Sequence, residues 1–365
     1  MTPEPDRAMS RITTLDALRG IAAFVVVIHH ILLASSQFNA VYNGGKVAGV
    51  AKIMGFTPLH VLWAGQEAVI IFFILSGFVL SLPFWRGKDI TFTGFAIKRI
   101  VRLYPPYIVA VFIAALLMTL IVRRPPDPWM GGYWPGILTW RVVLEHVAMI
   151  GSPTRNYIDA PVWSLWVEMQ ISIIFPLMIM AMRRLGRWSV PVAILLSLSQ
   201  KIAPLPVTVY YLWLFVLGAE IARHRPALEG FLRGLSSWGQ VGLLVCSLLA
   251  LIVRWIVPHV NIVAPLIVGA GAAGIVVACD GMSILRSALQ SRLTIWLGQI
   301  SYSLYLTHYI VLSAILCLFD GRMPLPFLLV AVLPLALVTG SLFHAAFEVP
   351  SIQLSRLASR RLESQ

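Results

Sequence analysis

Long apolar stretches, separated by short clusters of proline, glycine and charged residues, make up most of this sequence. Each stretch is about 15–24 residues long, which is the length that an α-helix needs to cross a hydrocarbon layer of about 30 Å. The clusters between them mark helix ends. The pattern predicts an all-α polytopic membrane protein with about ten transmembrane helices. We place them at residues 15–36, 61–84, 100–122, 161–182, 189–203, 206–223, 239–257, 262–280, 293–316 and 325–347.

The composition supports a membrane location. The 365 residues are 59% hydrophobic and 12% charged, whereas a soluble domain carries about 25% charge; the mean hydropathy is +0.85. A net charge of +13 would suit a nucleic-acid partner in a soluble protein. Here the charges lie between apolar stretches, where they set topology and meet anionic lipid or an anionic substrate, so we expect no nucleic-acid partner. The three cysteines, an odd number without a CxxC motif, indicate neither a disulfide framework nor a metal site.

The stretch 137–151 decides the topology. It is apolar but short, and it contains Arg141, Glu145 and His146, so it either crosses the membrane or lies at the interface. With a cytoplasmic N-terminus and no crossing here, about 19 of the lysines and arginines fall inside; with a crossing, about 12 do. The positive-inside rule therefore favours ten spans, cytoplasmic N- and C-termini, and an interfacial or re-entrant helix near 137–151.

This topology divides the chain into three segments. We expect a cytoplasmic N-terminal segment (1–14), one transmembrane domain (15–350) and a cytoplasmic basic tail (351–365) that is either a short surface helix or disordered. The apolar stretch 21–33 resembles a cleavable signal peptide. We interpret it as an uncleaved anchor because it carries candidate chemistry.

The first span carries an arginine and a histidine on one face. A charged group in hydrocarbon costs at least ~2.5–3.5 kcal/mol, so such residues are functional candidates; helix-orienting ion pairs and snorkelling are the structural alternatives. Arg19 and His30 are eleven residues apart, which is about 20° from three full turns and ~16 Å along the axis. His29 points about 80° away from Arg19. Asp16 is placed to pair with Arg19 at i,i+3.

Counting from the predicted span ends places four titratable side chains in one layer. His30, Glu67, Glu168 and His308 each fall about 8–9 Å below the outer surface. Such a layer is either a functional site or a set of polar contacts that tie helices together. A secondary transporter with a His/Glu proton relay is an alternative, but it would show repeat symmetry, and we find no internal repeat. A lipid-binding scaffold would need no buried charge.

A second group of polar residues lies toward the cytoplasm in this topology: Arg19, Ser76, Arg99 and Arg102. Arg99 and Arg102 are helical neighbours that can hold one phosphate together. The alternative is that they form a positive-inside anchor.

Six stretches resemble the acyltransferase-3 family of integral membrane O-acyltransferases. The first, 15–20 (LDALRG), contains Arg19, which begins the family's pattern of an arginine, ten residues and a histidine. This pattern selects His30 over His29, and at the position of His29 the family often has another aromatic residue. Each stretch alone is weakly specific, but the six follow the family's order from residue 15 to residue 350, and together they make the resemblance strong. The other five are 65–78 (GQEAVIIFFILSGF), 99–105 (RIVRLYP), 163–168 (WSLWVE), 298–308 (GQISYSLYLTH) and 347–350 (FEVP).

The resemblance implies transfer of an acyl group, usually acetyl, from cytoplasmic acyl-CoA to a hydroxyl of a carbohydrate or envelope glycan, in a bacterial inner membrane. It implies His30 as general base, because imidazole titrates near neutral pH, with a transient acyl-histidine as the less favoured variant. For Glu67, Glu168 and His308 a purely structural role stays open. The predicted site residues are His30 and Glu168 for catalysis, Arg19, Ser76, Arg99 and Arg102 for the acyl-CoA, and Glu67, Tyr302 and His308 for the acceptor.

Overall fold

The computed structural model describes residues 4–87, 90–121, 134, 138–149, 158–201, 205–257, 259–260, 262–319 and 323–363, with side chains described from residue 13 to residue 358. These residues form helices and connecting turns, and no strand occurs among them. The α-helices are α1 (Glu4–Leu33), α2 (Ser36–Asn43), α3 (Gly49–Phe56), α4 (Gly65–Trp85), α5 (Phe92–Ile121), α6 (Trp140–Ala148), α7 (Trp163–Leu185), α8 (Ser189–Leu198), α9 (Val207–Arg223), α10 (Arg225–Gly234), α11 (Ser237–Leu251), α12 (Val253–Ile256), α13 (Ala264–Gly281), α14 (Ser283–Ala288), α15 (Arg292–Leu318), α16 (Leu325–Phe343) and α17 (Val349–Glu363).

The predicted all-α membrane architecture is confirmed. Seven helical stretches within the described ranges are long and apolar enough to cross a membrane. Three predicted spans form shorter helices. The span 189–203 becomes α8, which continues from α7 through a short 3-10 turn at Gly186, and α9 and α11 have 17 and 15 residues. The seven stretches are Thr13–Leu33, Gly65–Trp85, Phe92–Ile121, Ala160–Leu198, Ala264–Gly281, Arg292–Leu318 and Leu325–Ala358.

The ambiguous stretch 137–151 contains α6, which has nine residues. At 1.5 Å per residue it is less than half as long as a membrane crossing requires. The Thr139 side chain accepts a hydrogen bond from Val142 N–H and caps its first turn. Residues 137, 150 and 151 of this stretch lie outside the described residues.

The described chain forms two compact units. Unit 1 comprises Met1–Ala22, Phe56–Phe92 and Gln170–Gln299, and unit 2 comprises Ala23–Gly55, Thr93–Met169 and Ile300–Gln365. In unit 1, α4 packs closely on α9 because both helices carry a glycine at the crossing. A Cβ on Gly77 would overlap the Phe215 carbonyl, and one on Gly218 would overlap the Ile74 carbonyl. Small residues let membrane helices approach to backbone contact, which accounts for the Ser76-Gly77 pair of the second motif.

In unit 2, two consecutive prolines interrupt the hydrogen bonds of α5. Pro105 and Pro106 have no N–H to donate to the carbonyls four residues earlier, those of Val101 and Arg102. The Ser351 hydroxyl contacts both carbonyls, at 2.6 and 3.0 Å. For the tail beginning at residue 351, which we predicted to be a helix or disordered, the structure shows the helix α17, tied to α5 through this serine.

Candidate active site

Two histidines on different helices of unit 2 face each other. His30 Nδ1, near the end of α1, lies 3.0 Å from His308 Nε2 on α15. The His308 ring is buried and the His30 ring is half-buried. The depth count had placed both in one layer, and the structure brings these two into direct contact.

The hydrogen bonds around the pair define its tautomers. His308 Nδ1 lies 3.0 Å from the Leu304 carbonyl, which can only accept, so the proton of His308 belongs on Nδ1 and its Nε2 carries a lone pair. With His308 in this tautomer, His30 Nδ1 donates to that Nε2. In this arrangement the basic nitrogen of His30 is Nε2. A histidine oriented by a second group is the arrangement that a general base requires.

Aromatic side chains surround the pair. The Tyr309 ring meets the His30 ring edge to face at 5.2 Å, and the Tyr305 ring lies 5.8 Å from that of His308. The adjacent His29 is engaged elsewhere, since its Nδ1 lies 3.4 Å from the Tyr42 hydroxyl. The structure therefore gives His29 and His30 different partners, in line with the motif that selects His30.

Glu168 and Tyr302 also lie in unit 2. Glu168 is half-buried on α7 and interacts electrostatically with Tyr302 and Tyr305. The Tyr302 hydroxyl donates to the Leu103 carbonyl at 2.6 Å, so its proton serves an interhelical contact. Catalysis by Glu168 and acceptor binding by Tyr302 stay predictions.

The basic turn of α5 carries Arg99 and Arg102, both half-buried, and the two prolines follow in the next turn. Ser355 donates to the Lys98 carbonyl at 3.0 Å, and Ser351 donates to the Val101 carbonyl one turn further on, at 2.6 Å. The backbone that presents the two arginines is thereby anchored on α17.

Three predicted site residues belong to unit 1. Arg19 lies 3.9 Å from Asp16, the i,i+3 pair that the sequence predicts. Ser76 lies on α4 beside Gly77. Buried Glu67 accepts a 2.8 Å hydrogen bond from the Trp255 indole, while its Oε2 has no hydrogen-bond partner among the described residues.

A buried aspartate was missed by the sequence analysis. Asp159 is fully buried in unit 2, and neither carboxylate oxygen has a hydrogen-bond partner within the described ranges. It is the N-cap residue of the 3-10 turn Ala160–Val162 that leads into α7, but its side chain makes no capping hydrogen bond. Burial raises the pKa of the Asp159 carboxyl well above its usual value. Because Asp159 lies in a loop outside every predicted span, no pattern in the sequence identified it as a candidate.

A buried carboxylate near the C-terminus was also missed. Glu348 ends a π-helical turn after α16, and its Oε2 accepts from the Ser303 hydroxyl at 2.6 Å and lies 2.8 Å from His344 Nδ1. Single π-turns inside helices are frequent at functional sites. The 347–350 motif was the available signal for Glu348.

Comparison with known proteins supplies the family. The sequence model of the acyltransferase-3 family, described as an acyltransferase domain, matches residues 12–344. The chain belongs to this family. It is thus an integral membrane O-acyltransferase, as the six motifs predicted, and the transporter alternative loses its support.

One relative covers almost the whole chain. Acyltransferase MdmB of Streptomyces mycarofaciens is 27% identical over 381 aligned positions, which include 94% of this chain and 92% of the relative. No solved structure matches the chain.

Proposed function

We propose that this O-acyltransferase moves an acetyl group from cytoplasmic acetyl-CoA to a hydroxyl of a carbohydrate or envelope glycan, with His30 as general base. The observation that carries the proposal is the 3.0 Å contact between His30 Nδ1 and His308 Nε2. It orients the His30 ring and leaves Nε2 as its basic nitrogen.

One general base is enough for the proton transfers of this reaction. His30 Nε2 takes the proton of the acceptor hydroxyl as that oxygen attacks the thioester carbonyl carbon. The carbon–sulfur bond breaks, the CoA thiolate leaves, and the imidazolium returns the proton to the sulfur. His308 accepts from His30 Nδ1 throughout and stabilises the positive charge that develops on the ring.

The donor carries several phosphates, and the arginines are suited to hold them. Guanidinium groups bind phosphate through paired hydrogen bonds, and Arg99 and Arg102 stand one turn apart on an anchored helix. We assign the phosphates to these two residues, and a further part of the donor to Arg19 and Ser76.

We assign the acceptor side to Glu67 and Tyr302, with Glu168 assisting His30. His308, predicted from the sequence to bind the acceptor, is assigned instead to orienting His30, because both of its ring nitrogens are engaged, with Leu304 and with His30. We further propose ten membrane crossings, cytoplasmic termini and a bacterial inner-membrane location. The excess of lysine and arginine in the loops then assigned to the inside supports this topology, and the bacterial relative supports the location.

The test uses purified protein in lipid nanodiscs with labelled acetyl-CoA and an envelope-glycan preparation. We expect His30→Ala to lower transfer about 10²–10⁴-fold, the range that general-base catalysis contributes. The matched control is His29→Ala, which removes a neighbouring imidazole and should keep most of the activity. Equal transfer by wild type and His30→Ala would refute the assignment. Thermal stabilisation by acetyl-CoA tests the donor separately.

A further inference from the structure

Two arginines of unit 1 contact the same tryptophan. Trp85 is the last residue of α4, and its indole N–H donates to the Ala219 carbonyl at 3.0 Å, which fixes the ring. The Arg183 and Arg223 guanidinium carbons lie 5.8 and 5.2 Å from the ring centroid. Both distances are within the range of cation–π contacts.

The charge around this tryptophan is positive. Arg183 and Arg223 are exposed, and the neighbouring Arg86 and Arg184 are exposed as well. Glu220 lies 3.5 Å from Arg223 and offsets part of the charge. Arg183 also donates to the Phe84 carbonyl at 3.0 Å, so its guanidinium is held in place while its remaining N–H groups can serve an anion.

An apolar strip leads directly to these arginines. Ile174, Leu177 and Met180 are exposed along α7 at a spacing of three residues, and Arg183 and Arg184 follow Met180 at i+3 and i+4, so both arginines lie one turn beyond it. From Ile174 to Arg184 the helix rises about 15 Å, which is about half of a 30 Å hydrocarbon core. The length and chemistry of this face thus match one phospholipid molecule: its apolar part is as long as one leaflet, and it ends at cationic side chains.

We propose that Arg183, Arg223 and Trp85 form a binding site for the phosphate of an anionic phospholipid whose acyl chains lie along Ile174, Leu177 and Met180. Arginine binds phosphate oxygens in pairs, and a tryptophan at the headgroup level is typical of membrane interfaces. Anionic lipid is favoured over zwitterionic lipid because the latter carries its own cation. The proposal stands independently of the acyl-transfer mechanism.

Native mass spectrometry of the detergent-purified protein tests the site with two probes of identical chains, dioleoyl phosphatidylglycerol and dioleoyl phosphatidylcholine. We expect retention of the phosphatidylglycerol alone. Arg183→Gln with Arg223→Gln should weaken its binding about fivefold per arginine, or about 25-fold for the pair, since one basic side chain near an anionic surface contributes ~1 kcal/mol. Arg183→Lys with Arg223→Lys keeps the charge and should lose an intermediate amount.

The matched control is Arg233→Gln with Arg292→Gln, which removes two exposed charges of the same unit and should change binding less than twofold. The single variant Arg223→Gln provides the measurement if the pair folds poorly. Equal loss in the control, or unchanged retention in the test variants, would overturn the proposal. Displacement of the lipid by coenzyme A would assign the site to the phosphates of the donor and would overturn it as well.

Discussion

Replacing Ser351 by alanine removes the hydroxyl that serves two carbonyl groups of α5. Val101 and Arg102 have lost their helical donors to Pro105 and Pro106, and Ser351 is buried, so water does not replace it readily. An unsatisfied buried carbonyl costs about 1–3 kcal/mol, and interhelical hydrogen bonds measured in membranes contribute about 0.6–2 kcal/mol. Because one proton is shared by two acceptors, we expect a loss of about 1–2 kcal/mol of unfolding free energy.

A double-mutant cycle separates this effect from lost packing. Pro105→Ala with Pro106→Ala restores two backbone N–H groups, so the carbonyls regain helical donors and Ser351→Ala should then cost less than about 0.5 kcal/mol. The assay is unfolding in mixed micelles by SDS titration, followed by tryptophan fluorescence. Ser341→Ala is the control, because Ser341 donates to Leu337 within its own helix. An equal loss in both proline backgrounds would refute the reasoning.

The other predictions concern three sites. His308→Gln should lower kcat by about tenfold or more with little change in the KM for acetyl-CoA, as steady-state kinetics will show, because His308 acts by orienting His30. Gly77→Ala should cost about 1–3 kcal/mol, since its Cβ overlaps α9, whereas Gly242→Ala, with open space around it, should not destabilise; thermal midpoints compare them. Burial lowers the pKa of His146, whose Nε2 accepts from Ile158 N–H. Its contribution to stability is therefore complete above about pH 6.5 and is lost as pH falls through the lowered pKa; His146→Gln should remove this acid sensitivity from the thermal midpoint.

The sequence predicted the helices and placed His30 and His308 at one depth, which agrees with their contact in the structure, because hydrophobic length and depth along a helix are local properties. It could not predict the contact of Ser351 with α5. In that contact, carbonyls that lost their helical donors to proline accept from a hydroxyl about 250 positions away. No local sequence pattern identifies the serine as their partner. Nor could the sequence identify the partner of Glu67, whose carboxylate accepts a hydrogen bond from the Trp255 indole, 188 positions away. Depth along a helix axis leaves the direction of the side chain open.

The 298–308 motif gains a physical meaning from the contacts of α15. Successive polar side chains of this helix bond different neighbours in unit 2: Tyr302 reaches α5, Ser303 reaches Glu348, Tyr305 reaches Ser164 on α7, and His308 reaches His30 on α1. Each bond fixes the rotation and height of α15 against one partner. Because His308 is a rigid part of the same helix, the three preceding contacts determine where its Nε2 stands. The motif therefore positions the histidine pair, and loss of any one contact should change the rate of acyl transfer because it changes the His30–His308 distance.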